Sequence, residues 1–139
     1  KAIGKIQSQS TSNPSSISQA AAVEALNGKQ GFIKIRAKAF KERRNFVVKS
    51  LNSIKGLSCL TPNGAFYVFP NCKKLLNKKT KLKTDTNFVQ RLLEKENVAV
   101  VQGSAFGLDG YFRISYATSM KNLKKAMTRI KSFCEALNK

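Results

Sequence analysis

The hydrophobic pattern of this chain changes period along its length, and this change limits the folds that the chain can adopt. Between residues 32 and 54, apolar side chains recur at intervals of three, four or seven, which predicts one face of a long helix. Between residues 111 and 116 they alternate, which predicts a strand. Both patterns within 139 residues predict an α/β fold, a two-layer sandwich in which helices cover a small sheet.

Turn and capping residues place the other elements. Residues 6–16 are polar and turn-prone. Ser15 or Ser16 is then expected to cap a first helix, which stops at Asn27-Gly28. The pattern after the long helix predicts, in chain order, a hairpin over 57–69, a helix over 85–96, a strand over 98–101, a strand over 111–116 and a helix over 119–137. Thr84 or Asp85 is expected to cap the helix over 85–96, and Thr118 or Ser119 the last helix.

The net charge is strongly positive, with 26 Lys and Arg against 7 Asp and Glu, or +19. Such a charge is typical of proteins that bind nucleic acid or anionic surfaces. The Lys-rich run over 73–83 is interpreted first as a solvated loop, and it is also the best candidate for a polyanion contact. Compositional drift explains the charge as well, because Lys and Asn are enriched together, and we favour it. Non-specific adhesion to polyanions is expected either way. No apolar stretch is long enough to predict a membrane span.

The residue types present exclude several kinds of catalytic site. The chain has no His, which removes the commonest metal ligand and general base. Cys59, Cys72 and Cys134 are widely spaced, which argues against a disulfide framework and against a zinc site and favours a reducing cytoplasm. Composition alone predicts neither a metal site nor a catalytic residue.

Arg113 is the one charged residue with two interpretations to weigh. It lies in an apolar and aromatic strand after a glycine-containing loop, so its guanidinium could be partly buried and bind a carboxylate. An exposed arginine on an edge strand is the alternative, and the residues alone favour it. The loop, Gly103-Ser104-Ala105-Phe106-Gly107, lacks the Gly-Lys-Ser/Thr ending of a P-loop.

Four ordered segments together resemble a known family. They are QSTSNPSSISQ over 9–19, GAFYVFP over 64–70, VAVVQGSAFG over 98–107 and GYFRISYA over 110–117. Their order and spacing are similar to those of class I aminotransferases, which are pyridoxal-phosphate enzymes of fold type I. The likeness is greatest to the C-terminal portion of the bacterial aspartate or aspartate/prephenate aminotransferases, and it covers essentially the whole chain.

The resemblance implies a domain organisation and an activity. Residues 1–30 would be a remnant of the edge of the large cofactor-binding domain, poorly packed or extended without it. Residues 31–139 would be the C-terminal small domain, with the helix over 32–54 linking the two. The implied activity is pyridoxal-phosphate-dependent transfer of an amino group between L-aspartate and 2-oxoglutarate, in a cytoplasmic homodimer acting on dicarboxylic amino acids and 2-oxo acids.

Roles for individual residues also follow from the resemblance. Arg113 would bind the α-carboxylate of the substrate, and Gly103, Ser104 and Phe106 would line the site as the small domain closes. A second group would lie near the dimer interface and the neighbouring site: Ser10, Thr11, Ser12 and Asn13.

The chain departs from the family's pattern in ways that bear on activity. The family's cofactor lysine, in a Ser-Lys context, has no counterpart here, nor do the phosphate-binding arginine and the aspartate that pairs with the pyridine nitrogen. Gln102 replaces the usual proline, and Ser8 and Gln9 stand where one subgroup has an arginine for the distal carboxylate. We therefore expect no catalytic residue in this chain and no binding of pyridoxal phosphate by the chain alone.

The sequence is compatible with three hypotheses. The first is an aminotransferase fragment, inactive alone and cut from a longer protein, because the chain lacks an initiator Met and the family's N-terminal large domain. The second is a stand-alone basic module that binds nucleic acid or anionic surfaces. The third is complementation, in which a separately encoded N-terminal piece supplies the lysine.

Overall fold

The structure is a computed structural model, and it describes residues 1–11, 13–77, 79–80 and 82–137. Ser12, one of the predicted site residues, and Lys78 and Lys81 of the Lys-rich run lie outside the described residues. The chain forms two compact units, an N-terminal unit over Lys1–Arg36 and a C-terminal unit over Ala37–Lys139. The division falls inside the long helix. The predicted organisation, a large-domain remnant over 1–30 and a small domain over 31–139, stays a prediction.

The N-terminal unit contains two short helices, α1 (Ala2–Ser10) and α2 (Ser16–Asn27). The side chain of Ser15 caps α2 by accepting a hydrogen bond from the Ser18 N–H (3.2 Å), as the sequence predicted. The turn-prone interpretation of residues 6–16 is wrong for residues 6–10, which continue α1. Neither helix has a buried residue, so the described residues of these helices form no core of their own.

The long helix α3 (Gly31–Asn52) leads into the C-terminal unit and ends two residues before its predicted end. Its last turns bury Val47, Val48 and Leu51, which lie on one face at helical spacing. The side chain of Asn52 then fixes the chain that follows. Its amide donates to the Cys59 carbonyl (2.9 Å) and accepts from the Cys59 N–H (2.8 Å).

The predicted hairpin over 57–69 is wrong. Asn52 occupies the backbone groups of Cys59, and Ser58 exchanges two backbone hydrogen bonds with Asn71 (3.2 and 2.7 Å). Residues 57–60 therefore do not pair along 65–69. The short strand β1 (Tyr67–Val68) pairs instead with a strand from much later in the chain.

The sheet has three antiparallel strands, β1, β2 (Val101–Gln102) and β3 (Phe112–Ser115), in the order β1-β3-β2. Val68 lies opposite Ile114, and Val101 lies opposite Arg113. The predicted strand over 98–101 begins only at Val101, and the one over 111–116 is shorter at both ends. Alternation on β3 is confirmed, since Phe112 and Ile114 are buried while Ser115 is exposed.

Helices α4 (Asp85–Glu96) and α5 (Met120–Leu137) cover the buried face of the sheet. The bounds of α4 agree with the prediction, and its cap is Thr84, whose side chain accepts from the Asn87 N–H (3.2 Å). Ser119 accepts from the Asn122 N–H at the start of α5 (3.2 Å). None of the helices in the described part of the chain combines the length and apolar character that a bilayer-spanning helix needs.

The core of the C-terminal unit lies between the sheet and these helices. Phe88 of α4 packs on Phe112 of β3 (ring centroids 5.0 Å apart) and on Phe133 of α5 (5.3 Å). The predicted two-layer α/β architecture is confirmed. The largest fully buried side chains belong to Tyr116, Phe88, Phe112, Leu51, Leu75, Leu82, Leu92, Leu123, Ile130, Val47, Val68 and Pro70.

Candidate functional site

The sheet face opposite the core carries Arg113 between two aromatic rings. The guanidinium carbon lies 4.4 Å from the ring centroid of Tyr67 on β1 and 4.2 Å from that of Phe106 in the loop after β2. Both distances are within the range of cation–π attraction. The half-buried guanidinium is therefore held between two rings, which restrict its rotation.

Further aromatic contacts hold the ring of Phe106 in place. Phe69 packs edge-on against Phe106 (centroids 5.9 Å, 76°) and stacks on Tyr111 (5.8 Å, 16°). The Tyr111 hydroxyl in turn accepts a hydrogen bond from the Asn71 amide (3.1 Å). Phe69 thus contacts both Phe106 and Tyr111, while Tyr67 contacts Arg113 separately, and we call Tyr67, Phe69, Phe106 and Tyr111 the aromatic layer.

Arg113 has no acidic partner within the described ranges of the chain. The ion pair that the described residues do form is on the surface of α5, between Lys131 and Glu135 (3.8 Å). A guanidinium presents its donors in a planar fork that matches a carboxylate with two hydrogen bonds. The alternative of an exposed edge-strand arginine is wrong, because β3 is the central strand and the Arg113 side chain is half-buried.

A one-turn 3₁₀ helix, Gly103–Phe106, presents Phe106 to Arg113, and we call it the 103–106 turn. The Gly103 N–H donates to the Tyr111 carbonyl (2.7 Å), and the Leu108 N–H donates to the Gly103 carbonyl (3.1 Å). A Cβ at Gly103 would lie 2.3 Å from the Leu108 carbonyl oxygen and 2.7 Å from that of Tyr111. Only glycine fits this position without movement of the backbone.

A hydrogen bond to Asp85 connects the 103–106 turn to α4. The carboxylate of Asp85 accepts a hydrogen bond from the Ser104 N–H (Oδ2 to N, 2.6 Å), and the residue is 2% exposed. Sequence reasoning considered Asp85 only as a helix cap and missed this contact, which joins two segments distant in sequence. It also missed Tyr67, because only the pairing of β1 with β3 places that residue beside Arg113.

The predicted site residues of the N-terminal unit include two hydroxyls that make local hydrogen bonds. The hydroxyls of Ser10 and Thr11 donate to carbonyls one turn earlier, those of Ile6 (2.7 Å) and Gln7 (2.6 Å). Asn13 is exposed. Their assignment to a dimer interface stays a prediction.

The buried thiols are unsuited to nucleophilic chemistry. Burial raises the pKa of Cys72 to about 12, with a further contribution from the charge of Asp85. Burial also raises the pKa of Cys134 to about 12. A thiol is nucleophilic as its thiolate, so neither group is reactive near neutral pH.

Comparison with known proteins identifies the relatives of this fold and site. The family model described as aminotransferase class I and II matches residues 1–130. The chain is 55% identical to the aspartate aminotransferase of Rhizobium meliloti (strain 1021) over 99% of this chain and 35% of that protein. It is 53% identical to the probable aspartate/prephenate aminotransferase of Rickettsia prowazekii (strain Madrid E), with the same coverage.

Solved structures agree with the sequence comparison. The crystal structure of the aspartate aminotransferase from Rhizobium meliloti superimposes with a TM-score of 0.88 at 56% identity, over 94% of this chain and 34% of that one. An alanine aminotransferase from Pyrococcus furiosus gives a TM-score of 0.82 at 35% identity, over 88% and 30%. The chain thus spans about a third of the length of the relatives that it matches.

Proposed function

Because this chain belongs to the class I and II aminotransferases, we propose that it supplies the part of such an enzyme that binds the α-carboxylate of the substrate, through Arg113. The reaction would be transfer of an amino group between L-aspartate and 2-oxoglutarate, since its relatives are named aspartate or aspartate/prephenate aminotransferases. The observation that carries the proposal is the position of Arg113, held between Tyr67 and Phe106 with no acidic partner among the described residues.

The aromatic layer suits this role physically. The two rings restrict the guanidinium to few orientations, so less conformational entropy is lost when a carboxylate binds. They also lower the local dielectric, which strengthens a charge-assisted hydrogen bond. A central strand held by the core below it then fixes the angle at which the carboxylate, and with it the α-carbon, is presented.

In this family pyridoxal phosphate acts as the electron sink, while the protein supplies orientation and charge. We infer that this chain does not hold the cofactor by itself. The lysine in contact with the aromatic layer is Lys73, whose amine lies 5.3 Å over the ring of Tyr111, and its exposed side chain is not held as a cofactor lysine would need to be. We therefore propose that the cofactor lysine lies in the part of the enzyme that corresponds to the other two thirds of the relatives' sequence, and that the cofactor binds there.

From the family resemblance we also propose that the whole enzyme is a cytoplasmic homodimer, and that it contains this chain's sequence as its C-terminal portion. The relatives give no support to the alternative of a stand-alone basic module. Non-specific adhesion to polyanions stays a prediction, and it should disappear at moderate salt.

A titration with L-aspartate, followed by NMR of the β3 amides and the Arg113 side chain, tests the carboxylate assignment. A saturable shift with a Kd on the order of millimolar or weaker is expected, since an isolated and partly exposed ion pair contributes little. Isoasparagine, which lacks the α-carboxylate, should cause a much smaller shift. Equal shifts from the two ligands would contradict the assignment.

Two variants with the same change in charge sharpen this test. Arg113→Gln should abolish the saturable shift, whereas Arg129→Gln on α5 should leave it unchanged. Equal losses in the two variants would mean that the ligand responds to net charge rather than to the site.

A second titration tests the cofactor proposal. The purified chain is mixed with pyridoxal phosphate, and the absorbance of an aldimine is followed before and after L-aspartate is added. No saturable band that responds to aspartate is expected. A stoichiometric aldimine that reacts with aspartate would show that a lysine of this chain serves as the cofactor lysine.

A further inference from the structure

The carboxylate of Asp85 is buried without a cationic partner among the described residues. Asp85 is the first residue of α4 and is 2% exposed, and its Oδ2 accepts from the Ser104 N–H at 2.6 Å. A buried carboxylate is costly unless hydrogen bonds or charges compensate it. Here the positive end of the α4 dipole and the Ser104 N–H provide that compensation.

The Ser104 N–H belongs to a turn that reaches Arg113. The 103–106 turn is closed by the bond from the Gly107 N–H to the Ser104 carbonyl (3.0 Å), and it ends at Phe106. The ring of Phe106 lies 4.2 Å from the guanidinium carbon of Arg113. Asp85 and Arg113 are thus connected through one hydrogen bond, one turn and one ring.

We propose that Asp85 is a positioning residue, whose carboxylate fixes the 103–106 turn so that Phe106 stays on the guanidinium of Arg113. Without that hydrogen bond, the turn keeps the anchor at its first residue, from Gly103 to the Tyr111 carbonyl (2.7 Å), and loses the one to α4. Phe106 then moves off Arg113 for part of the time, while Tyr67 stays, because strand pairing holds it. Any effect on substrate binding rests on the proposed function, but the positioning itself does not.

The chain offers a matched control on the same helix. Thr84→Ala removes the cap of α4, the hydrogen bond from the Asn87 N–H to the Thr84 hydroxyl (3.2 Å), and leaves Ser104 untouched. Asp85→Ala removes the contact with Ser104. Asp85→Asn keeps the volume and one acceptor oxygen without the charge. All three variants should unfold at lower urea concentrations than the parent chain.

The variants should differ in the NMR signals of the Arg113 side chain. Two flanking rings shift its δ and ε protons away from the values of a free arginine. Asp85→Ala should lose much of that shift, Asp85→Asn a smaller part, and Thr84→Ala none. Aspartate affinity should fall by about two- to fivefold in Asp85→Ala, the change that corresponds to one exposed cation–π contact.

Each result decides the proposal. Unchanged Arg113 shifts in folded Asp85→Ala, or equal changes in Thr84→Ala, would overturn it. If Asp85→Ala does not fold, Asp85→Asn against Thr84→Ala makes the same comparison. The shifts are measured without ligand, so their failure is separate from a failure of the chain to bind aspartate.

Discussion

Replacing Gly103 with alanine tests the close packing that shapes the site. The added Cβ would lie 2.3 Å from the Leu108 carbonyl oxygen and 2.7 Å from that of Tyr111, both backbone atoms that cannot rotate away. Overpacking of this kind costs about 1–3 kcal/mol. Movement of the backbone would also weaken the hydrogen bond from the Gly103 N–H to Tyr111, worth about 1 kcal/mol. The free energy of unfolding should therefore fall by about 3 kcal/mol.

Two other glycines separate this clash from the general effect of a methyl group. A Cβ at Gly64 meets nothing within 4 Å and the residue is not among the glycines with positive φ, so Gly64→Ala should be close to neutral. A Cβ at Gly107 also meets nothing, but its φ of +75° lies in the left-handed region. Gly107→Ala should therefore cost about 1–2 kcal/mol from backbone strain alone.

Urea unfolding followed by tyrosine fluorescence measures the series. The chain has three Tyr and no Trp, and all three tyrosines lie in the C-terminal unit, so the signal reports on that unit. From least to most destabilised, the expected order is Gly64→Ala, Gly107→Ala and Gly103→Ala. A midpoint for Gly103→Ala equal to that for Gly64→Ala would refute the argument, because the turn would then accommodate a Cβ at no cost.

Two further predictions concern the core and the loop after α3. Because burial raises the pKa of Cys72 to about 12 from the usual 9.0, the folded chain keeps a proton that the unfolded chain releases. The contribution of the protonated Cys72 to stability is therefore fully present below pH 9.0 and is lost as the pH rises towards 12. Urea midpoints should fall over that range, and they should fall less steeply in Cys72→Ala. Equal slopes in the two proteins would contradict this prediction. Asn52→Ala removes both hydrogen bonds to the Cys59 backbone and should lower the free energy of unfolding by about 2 kcal/mol, whereas an unchanged urea midpoint would show that water replaces them.

Elements whose signals are local could be predicted from the sequence. Helix α4 begins at Asp85 because Thr84 caps it, and it ends where Asn97 adopts a left-handed φ of +53°. The alternation on β3 likewise predicted that Arg113 and Phe112 lie on opposite faces of the sheet. These features depend on neighbours along the chain, so the sequence contains the physical reasons for them.

The pairing of β1 could not be predicted in this way. The sequence suggested the nearest extended segment as its partner, whereas side-chain hydrogen bonds of Asn52 and the bridge from Ser58 to Asn71 direct that segment elsewhere. The error also hid Tyr67. Tyr67 lies opposite Ser115, and residues opposite each other share a face, so only the true pairing places its ring beside Arg113.

The carboxylate-binding role of Arg113 is predicted only by the family resemblance, because the residues alone favour an exposed position. Burial of an arginine depends on what packs against it, and here those groups are the rings of Tyr67 and Phe106. Both rings come from segments that precede it in the chain. Their contact with Arg113 depends on the register of the sheet and on the 103–106 turn.

The site therefore exists only when the C-terminal unit is folded. Tyr67 reaches Arg113 through strand pairing, and Phe106 reaches it through a turn anchored to Tyr111 and Asp85. The other face of the same strand buries Phe112 completely against Phe88. Core packing thus holds the strand that orients the guanidinium. The carboxylate binding that we propose for Arg113 should therefore disappear in the same transition as the tyrosine signal.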